Sequence, residues 1–171
     1  MTGPLDSVDQ ELVTELVHDA RLTYQQLAQV VHLSANSTAD RVRRLRQAGI
    51  ISGYHAELDL ATIGRHLGAL TDVKLKDDVD RRGFERDLDR LPQVLDAIHT
   101  TGEYDYQLRV ASTGTLDLEL VVDELREMGA REVHSRIILG QVRYDPTRLL
   151  RPADEAATSA RPAVRRAHPP G

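Results

Sequence analysis

The 171 residues contain no cysteine, no tryptophan and a single phenylalanine. Without cysteine there is no disulfide framework, no thiolate zinc site and no thiol nucleophile. No apolar run approaches the roughly 18 residues of a membrane-spanning helix, so no membrane partner is expected. The opening Met1-Thr2-Gly3-Pro4-Leu5-Asp6 lacks the basic and apolar regions of a secretory signal, which makes the cytoplasm the simplest location. Nucleophile elbows of the Gly-x-Ser-x-Gly type and phosphate-binding glycine loops are missing as well. His18, His32, His55, His66, His99, His134 and His168 include no i, i+4 pair, so nothing local converges on a metal ion. No catalytic residue, metal or cofactor is therefore expected.

The net charge of −5 argues at first against nucleic acid, whose phosphates attract a basic surface. Distribution matters more than the total. Arg41, Arg43, Arg44 and Arg46 fall within six residues, and such a cluster on one helix can meet phosphates while the rest stays acidic. The first third predicts three helices. Asp6 caps the first, with Val8, Leu12, Leu16 and Val17 as its apolar stripe. Thr23 and Gln26 form a capping-box pattern at the second, whose inward face would be Tyr24, Leu27, Ala28 and Val31. After the short His32-Leu33 connection Ser34 caps a third helix with Thr38, Val42 and Leu45 on one stripe, closed by Gly49. Two helices at so tight a turn, the second basic, are the pattern of a DNA-binding helix-turn-helix.

Residues 50–58 read as a strand, giving the first domain (1–58) a winged-helix-like character, and residues 59–66 as a linker. Residues 67–150 then alternate. Ala69, Thr71, Val73 and Leu75 oppose Asp72, Lys74 and Lys76 along a half-buried strand. Phe84, Leu88 and Leu91 follow at helical spacing. A strand over residues 94–100 turns at Gly102 into a second, with Tyr104, Tyr106, Leu108 and Val110 on one face. Leu118, Val121, Val122, Leu125 and Met128 mark another helix, and Val133, Ser135, Ile137 and Leu139 the inward side of a last strand. This βαββαβ order predicts an α+β chain whose second domain is a ferredoxin-like sandwich, two helices covering one sheet face and the other wanting a partner. Residues 151–171, rich in Ala, Pro and Arg, predict a disordered tail in which Arg161, Arg165 and Arg166 could add DNA affinity.

Five motifs carry a resemblance: Leu5-Asp6-x-x-Asp9, Leu33-Ser34, Arg41-Val42-Arg43-Arg44-Leu45, Gly49-Ile50-Ile51-x-Gly53-Tyr54 and Gly102-x-Tyr104-Asp105-Tyr106. Together, from about Leu5 to Tyr144, they resemble the Lrp/AsnC (leucine-responsive, feast/famine) transcription regulators. The resemblance implies a helix-turn-helix on double-stranded DNA and a second, effector-binding (RAM-type) domain sensing a small molecule of the amino-acid class. It also implies homodimers through the uncovered sheet face, often assembled into octamers. The chain departs from the family in carrying His32 where glycine is usual and Asp40 where a polar or basic residue is usual.

The DNA-contact candidates are Arg21, Thr23, Ser34, Asn36, Ser37, Asp40, Arg41, Arg43 and Arg44. Among them Asn36 and Ser37, near the start of the recognition helix, are placed to read bases. For the effector, the resemblance points to the turn Thr100, Thr101, Gly102, Glu103, Tyr104 and Asp105, with Arg136 and Ile138 on the last strand. Two alternatives accompany this reading. One is an architectural DNA-coating protein. The other is a haem-pathway decarboxylase-like protein, with His99, His134, Arg109 and Arg136 lining a tetrapyrrole pocket.

Overall fold

A computed structural model of the chain describes residues 5–150 and groups them into two units, residues 5–57 with 142–150, and residues 58–141. The tail expected over residues 151–171 lies outside the described residues.

The first unit contains α1 (Ser7–His18), α2 (Tyr24–Val30) and α3 (Ala35–Gln47). Each helix begins on its expected cap. Asp6 accepts the Asp9 N–H at 2.7 Å, Thr23 and Gln26 close a capping box, and Ser34 accepts the Ser37 N–H at 3.1 Å. Such caps contribute about 1 kcal/mol each by satisfying N–H groups a helix leaves unpaired. α3 ends in a Schellman motif: the Gly49 N–H bonds the Arg46 carbonyl and the Ile50 N–H the Leu45 carbonyl, with Gly49 at φ +74°. His32 takes the left-handed conformation (φ 54°) in the turn between α2 and α3.

Leu12, Val13, Leu16, Leu27, Val31, Val42 and Leu45 form the core of this unit. Two expected inward residues lie outside it. Val17 is 44% exposed because the buried arc of α1 centres between Leu16 and Val13, leaving Val17 on its edge. Tyr24, 49% exposed, opens α2 and lines a surface groove with Leu16, Leu22 and Tyr54 instead of entering the core. The strand expected over residues 50–58 does not form. Ile51 is still tied to Leu45, the rest runs without ladder bonds, and among the described residues the unit offers no second strand to pair with, so there is no wing. Residues 142–150, grouped by sequence with the second domain, sit here. His18 Nε2 lies 3.0 Å from Asp145 Oδ2, Thr147 is buried, and Leu150 packs on the helical core.

The second unit runs β1 (Leu67–Leu75), α4 (Arg81–Asp87) extended by a 3-10 turn (Leu88–Arg90), β2 (Val94–His99), β3 (Tyr106–Ser112), α5 (Thr115–Glu127) and β4 (Ala130–Ile137). Its strands pair antiparallel in the order β2-β3-β1-β4, the ferredoxin-like arrangement. Register sets the faces. Thr71 stands opposite Leu108 on one side and Ser135 on the other, so Ala69, Thr71, Val73, Tyr106, Leu108 and Val110 share the face covered by Phe84, Leu88, Leu118, Val121 and Leu125. The opposite face carries Leu70, Asp72, Gln107, Arg109, His134 and Arg136. Two inward assignments fail at the sheet's ends: Tyr104 precedes β3 and turns to His134 on the uncovered face instead of joining Tyr106, and Leu139 lies beyond β4. After Ile138 bonds Gly68 at 2.8 Å the chain leaves the sheet, so Leu139 is 97% exposed. The expected linker is a turn in which Asp59 accepts the Ala61 and Thr62 N–H groups.

Candidate nucleic-acid interface and ligand site

At 100° per residue, Asn36, Ser37, Asp40, Arg43, Arg44 and Gln47 fall within an arc of about 120° on α3, opposite its buried stripe. All six are exposed, and Gln47 is the member sequence reading passed over. Its only signal is helical phase relative to Asn36 and Asp40.

The candidate arginines divide. Arg41 lies at the edge of the buried stripe and turns toward α1, where Nη1 donates to Asp6 Oδ2 at 2.6 Å and to Asp9 Oδ1 at 2.8 Å. The pair holds the Asp6 carboxyl below its ordinary value, the Arg41 hydrogen bond first and the Asp9 N–H second, and keeps Arg41 charged. Arg41 thus braces α1 against α3, and Leu5-Asp6-x-x-Asp9 is the other half of that brace. Arg43 pairs along the helix with Asp40. Arg44 is exposed and has no acidic partner among the described residues. Arg46 leaves the face and lies over the Tyr54 ring, 5.8 Å from its centre. The hydroxyls of Thr23 and Ser34 cap their helices, Thr23 also donating to Gln26 at 2.8 Å and Ser34 meeting the Ser37 hydroxyl at 2.8 Å. Arg21, just ahead of α2, is exposed, with its backbone N–H on Asp19.

In the second unit the hairpin from Thr100 to Asp105 is closed by its own backbone. The Thr100 N–H bonds the Asp105 carbonyl at 2.9 Å, the Thr100 hydroxyl donates to the Tyr104 carbonyl at 2.9 Å, and Gly102 turns at φ +117°. Thr101 and Glu103 are exposed at its tip. The two residues that follow diverge. Tyr104 stacks on His134 with ring centres 5.5 Å apart, and desolvation with nearby Glu103 raises its phenol above the ordinary value. Asp105 turns the other way: Oδ2 accepts the Leu75 N–H at 2.9 Å and Oδ1 lies 3.4 Å from Arg81 Nη2.

The eight residues expected around an effector are therefore not one cluster. Arg136 donates to Asp72 at 2.6 Å on the uncovered face, where Gln107 also donates to Asp72, and Ile138 sits over Gly68. Asp105 instead joins Leu75, Lys76, Asp77, Val79 and Arg81 around a cleft of about 240 Å³. Lys76 and Arg81 gave no sequence signal, because they reach this place only through the β1–α4 connection. Tyr106, the last residue of the Gly102 motif, is structural: buried against Phe84 at 5.3 Å and His99 at 5.0 Å, it donates to Glu85 and its phenol is pushed up to about 12 by burial and then by that bond.

Of the decarboxylase constellation, Arg109, His134 and Arg136 share the uncovered face, Arg109 paired with Asp96 and Arg136 with Asp72, while His99 packs on Tyr106 at the helix side and is separated from them by the sheet. Among the described residues no group of three or more His, Asp or Glu side chains could hold a metal ion, and no helix is long and apolar enough to cross a membrane.

A three-helix unit presenting a capped basic helix after a tight turn, followed by a ferredoxin-like sandwich, defines the class of two-domain helix-turn-helix regulators with a ligand-binding module. Comparison with known proteins agrees for both parts. Residues 5–46 match the AsnC-type helix-turn-helix domain and residues 68–147 the Lrp/AsnC ligand binding domain. The chain belongs to the Lrp/AsnC family of transcription regulators. It is 34% identical to the transcriptional regulator AldR of Mycolicibacterium smegmatis over 70% of this chain and 71% of that one. It is also 34% identical to the leucine-responsive regulatory protein of Rhizobium meliloti, over 71% and 80%. Among solved structures, a transcriptional regulator of Neisseria meningitidis in complex with L-Met superposes with a TM-score of 0.77 at 28% identity, covering 84% of this chain and 95% of that one.

Proposed function

We propose that the chain is a cytoplasmic, sequence-specific DNA-binding regulator that acts as a homodimer or a larger multiple of dimers and answers an effector of the amino-acid class. The observation that carries the DNA half is the exposed α3 face, where Asn36 and Ser37 lead and Arg43 and Arg44 follow on one side of a capped helix. Asparagine pairs with adenine edges and arginine with guanine or phosphate. Asp40, as an acceptor, suits cytosine N4 and repels phosphate, and its pairing with Arg43 restrains that arginine in the free protein. Arg21 and Thr23 at the start of α2 and Ser34 at the start of α3 are proposed phosphate contacts through side chain or backbone. Arg41 is assigned the brace instead.

The ligand half is supported by the family's ligand-binding domain and by the L-Met bound to the Neisseria relative. The contact proposed is the Thr100–Asp105 hairpin, with Arg136 and Ile138 as supports of the neighbouring strand. The uncovered sheet face, mixing Leu70 and Ile98 with paired charges, is the proposed dimer surface.

Selection of sheared genomic DNA by the purified protein at moderate salt, followed by sequencing, tests this. A few fragments sharing a near-palindrome are expected, since a dimer places two recognition helices in successive major grooves. Uniform recovery would favour an architectural role, and no recovery would end the DNA-binding reading.

A further inference from the structure

The helical unit carries a groove that its own side chains leave unfilled. The groove has a volume of about 340 Å³ and lies where the end of α1, the start of α2 and the chain at Tyr54 come together. That volume falls at the lower end of small-molecule sites. Leu16, Leu22 and Leu27 form its floor, and the rings of Tyr24 and Tyr54, both exposed, stand at its sides. Two rings over three leucines suit a flat apolar body, because aromatic faces and edges attract another ring beyond the area it buries.

Charge at the rim has one sign. The Arg46 guanidinium, 5.8 Å from the centre of the Tyr54 ring, pairs with no carboxylate among the described residues. Its N–H fork therefore remains open to an acceptor beside the ring. Arg21, set between the lining residues Ala20 and Leu22, is exposed and also without a carboxylate partner among the described residues. The acid nearest to it in sequence, Asp19, is turned instead onto the Arg21 backbone N–H at 2.8 Å. A neutral apolar ligand would leave both arginines unanswered. A simple inorganic anion would leave the leucines and the two rings unanswered.

We propose that this groove binds an aromatic monocarboxylate, its ring between Tyr24 and Tyr54 on the leucine floor and its carboxylate on Arg46, with Arg21 adding positive charge at the rim. Arg46 is the specificity determinant, because a planar fork can take a carboxylate with two parallel bonds. The site belongs to the helical unit and shares no residue with the hairpin proposed for the amino-acid effector. Arg21 is also a proposed phosphate contact, so an occupied groove competes with DNA for it. That consequence, unlike the site itself, rests on the DNA reading above.

Equilibrium dialysis of the full chain, without DNA, against phenylacetate and indole-3-acetate tests the site. At least one should bind with a Kd of about 1 mM or below, the affinity of a weak, open site. The matching carboxamide should bind at least about tenfold more weakly, and cyclohexylacetate, which keeps the charge but not the ring faces, about threefold more weakly than phenylacetate. Arg46→Gln should weaken binding at least about tenfold, Arg46→Lys should recover part of it, and the exposed Tyr24→Ala should weaken it as well. Arg126→Gln, on α5, should bind as the parent does. Unchanged amide exchange of α2 and α3 shows that the variants are folded. Equal binding of acid and carboxamide overturns the carboxylate assignment. Binding retained in both Arg46→Gln and Tyr24→Ala overturns the location, and binding of neither acid at about 10 mM overturns the site. The acid that binds should then raise the protein concentration needed to half-saturate a selected DNA fragment. An unchanged midpoint overturns the competition and leaves the groove, whereas a protein that selects no DNA overturns the DNA reading and leaves the dialysis result standing.

Discussion

The two units use charge in opposite ways. On α3 like charges collect and are sorted by role: Arg41 is committed to Asp6 and Asp9, Arg43 is restrained by Asp40, and Arg44 stays open. In the second unit opposite charges are kept beside each other, whether joined, as Arg136 with Asp72, or held slightly apart, as Arg81 with Asp105. A polyanion is met by unanswered positive charge on one face. The difference shows that arginine count says little; what matters is which carboxylates each arginine already has.

The largest effect should come from the open end of that series. Replacing Arg43 and Arg44 by alanine should weaken binding to a selected DNA fragment about 10- to 100-fold near physiological salt and flatten the slope of log K against log salt by about 2, since each lost phosphate contact removes about 0.9. Titrations at several salt concentrations measure this. An unchanged slope would remove both residues from the phosphate contacts and erase the proposed contrast with Arg41.

Next in size is the segment that returns to the helices. Ending the chain after Gln141 removes the buried Thr147, the half-buried Leu150 and the His18–Asp145 pair. Amide exchange of α1 should then report a loss of about 2 kcal/mol, a central value for part of a leucine and a buried threonine. Acid should act through the same contact. His18 first, then Thr147, hold Asp145 down at about 2 from its ordinary 3.8. A lowered carboxyl stabilises fully above its unfolded value and loses that contribution as pH falls through the folded one. Exchange protection of α1 should therefore decline between about pH 4 and pH 2, and less so in the chain ended at Gln141.

Arg41→Ala should follow, at about 1–2 kcal/mol on the helical unit, because it strands Asp6 and Asp9 with their pairs only partly exposed to water. The measurement that separates it from Arg44 is DNA affinity under conditions where both variants are fully folded. Arg41→Ala should bind within about twofold of the parent there, and a tenfold loss would return Arg41 to the DNA face.

What sequence discloses here follows the range of the interaction. Asp6, Thr23 with Gln26, Ser34 and Gly49 act within a few residues, and the helices begin and end on them. Period-2 alternation likewise marked β1, β3 and β4, with the buried side of β1 and, from Tyr106 onward, of β3. The readings that failed depend on distant partners. Residues 50–58 have strand composition without a strand to join, and Arg41 belongs to a basic cluster by position but to α1 by contact. Asp105 was visible in its motif, yet its direction is set by Leu75 and its neighbour Arg81 by the path of the chain after β1. No local pattern encodes those.

The smallest effect isolates the one place among the described residues where the helical unit runs against a backbone preference. His32 occupies left-handed space at φ 54°, exposed and between α2 and α3. For a residue with a β carbon that conformation costs roughly 1–2 kcal/mol, less for histidine than for most. Glycine removes the penalty but loses about 0.5–1 kcal/mol more backbone entropy on folding. The two terms nearly cancel, so His32→Gly should stabilise the unit by about 0.5 kcal/mol, the part of the penalty that entropy does not offset. His32→Ala keeps the β carbon without the imidazole's local tolerance and should move the other way. A thermal unfolding midpoint that rises for glycine and falls for alanine marks His32 as a turn residue alone. A fall for both would mean that the imidazole holds the two helices at their angle, and the turn would then join Arg41 among the side chains that brace the recognition helix.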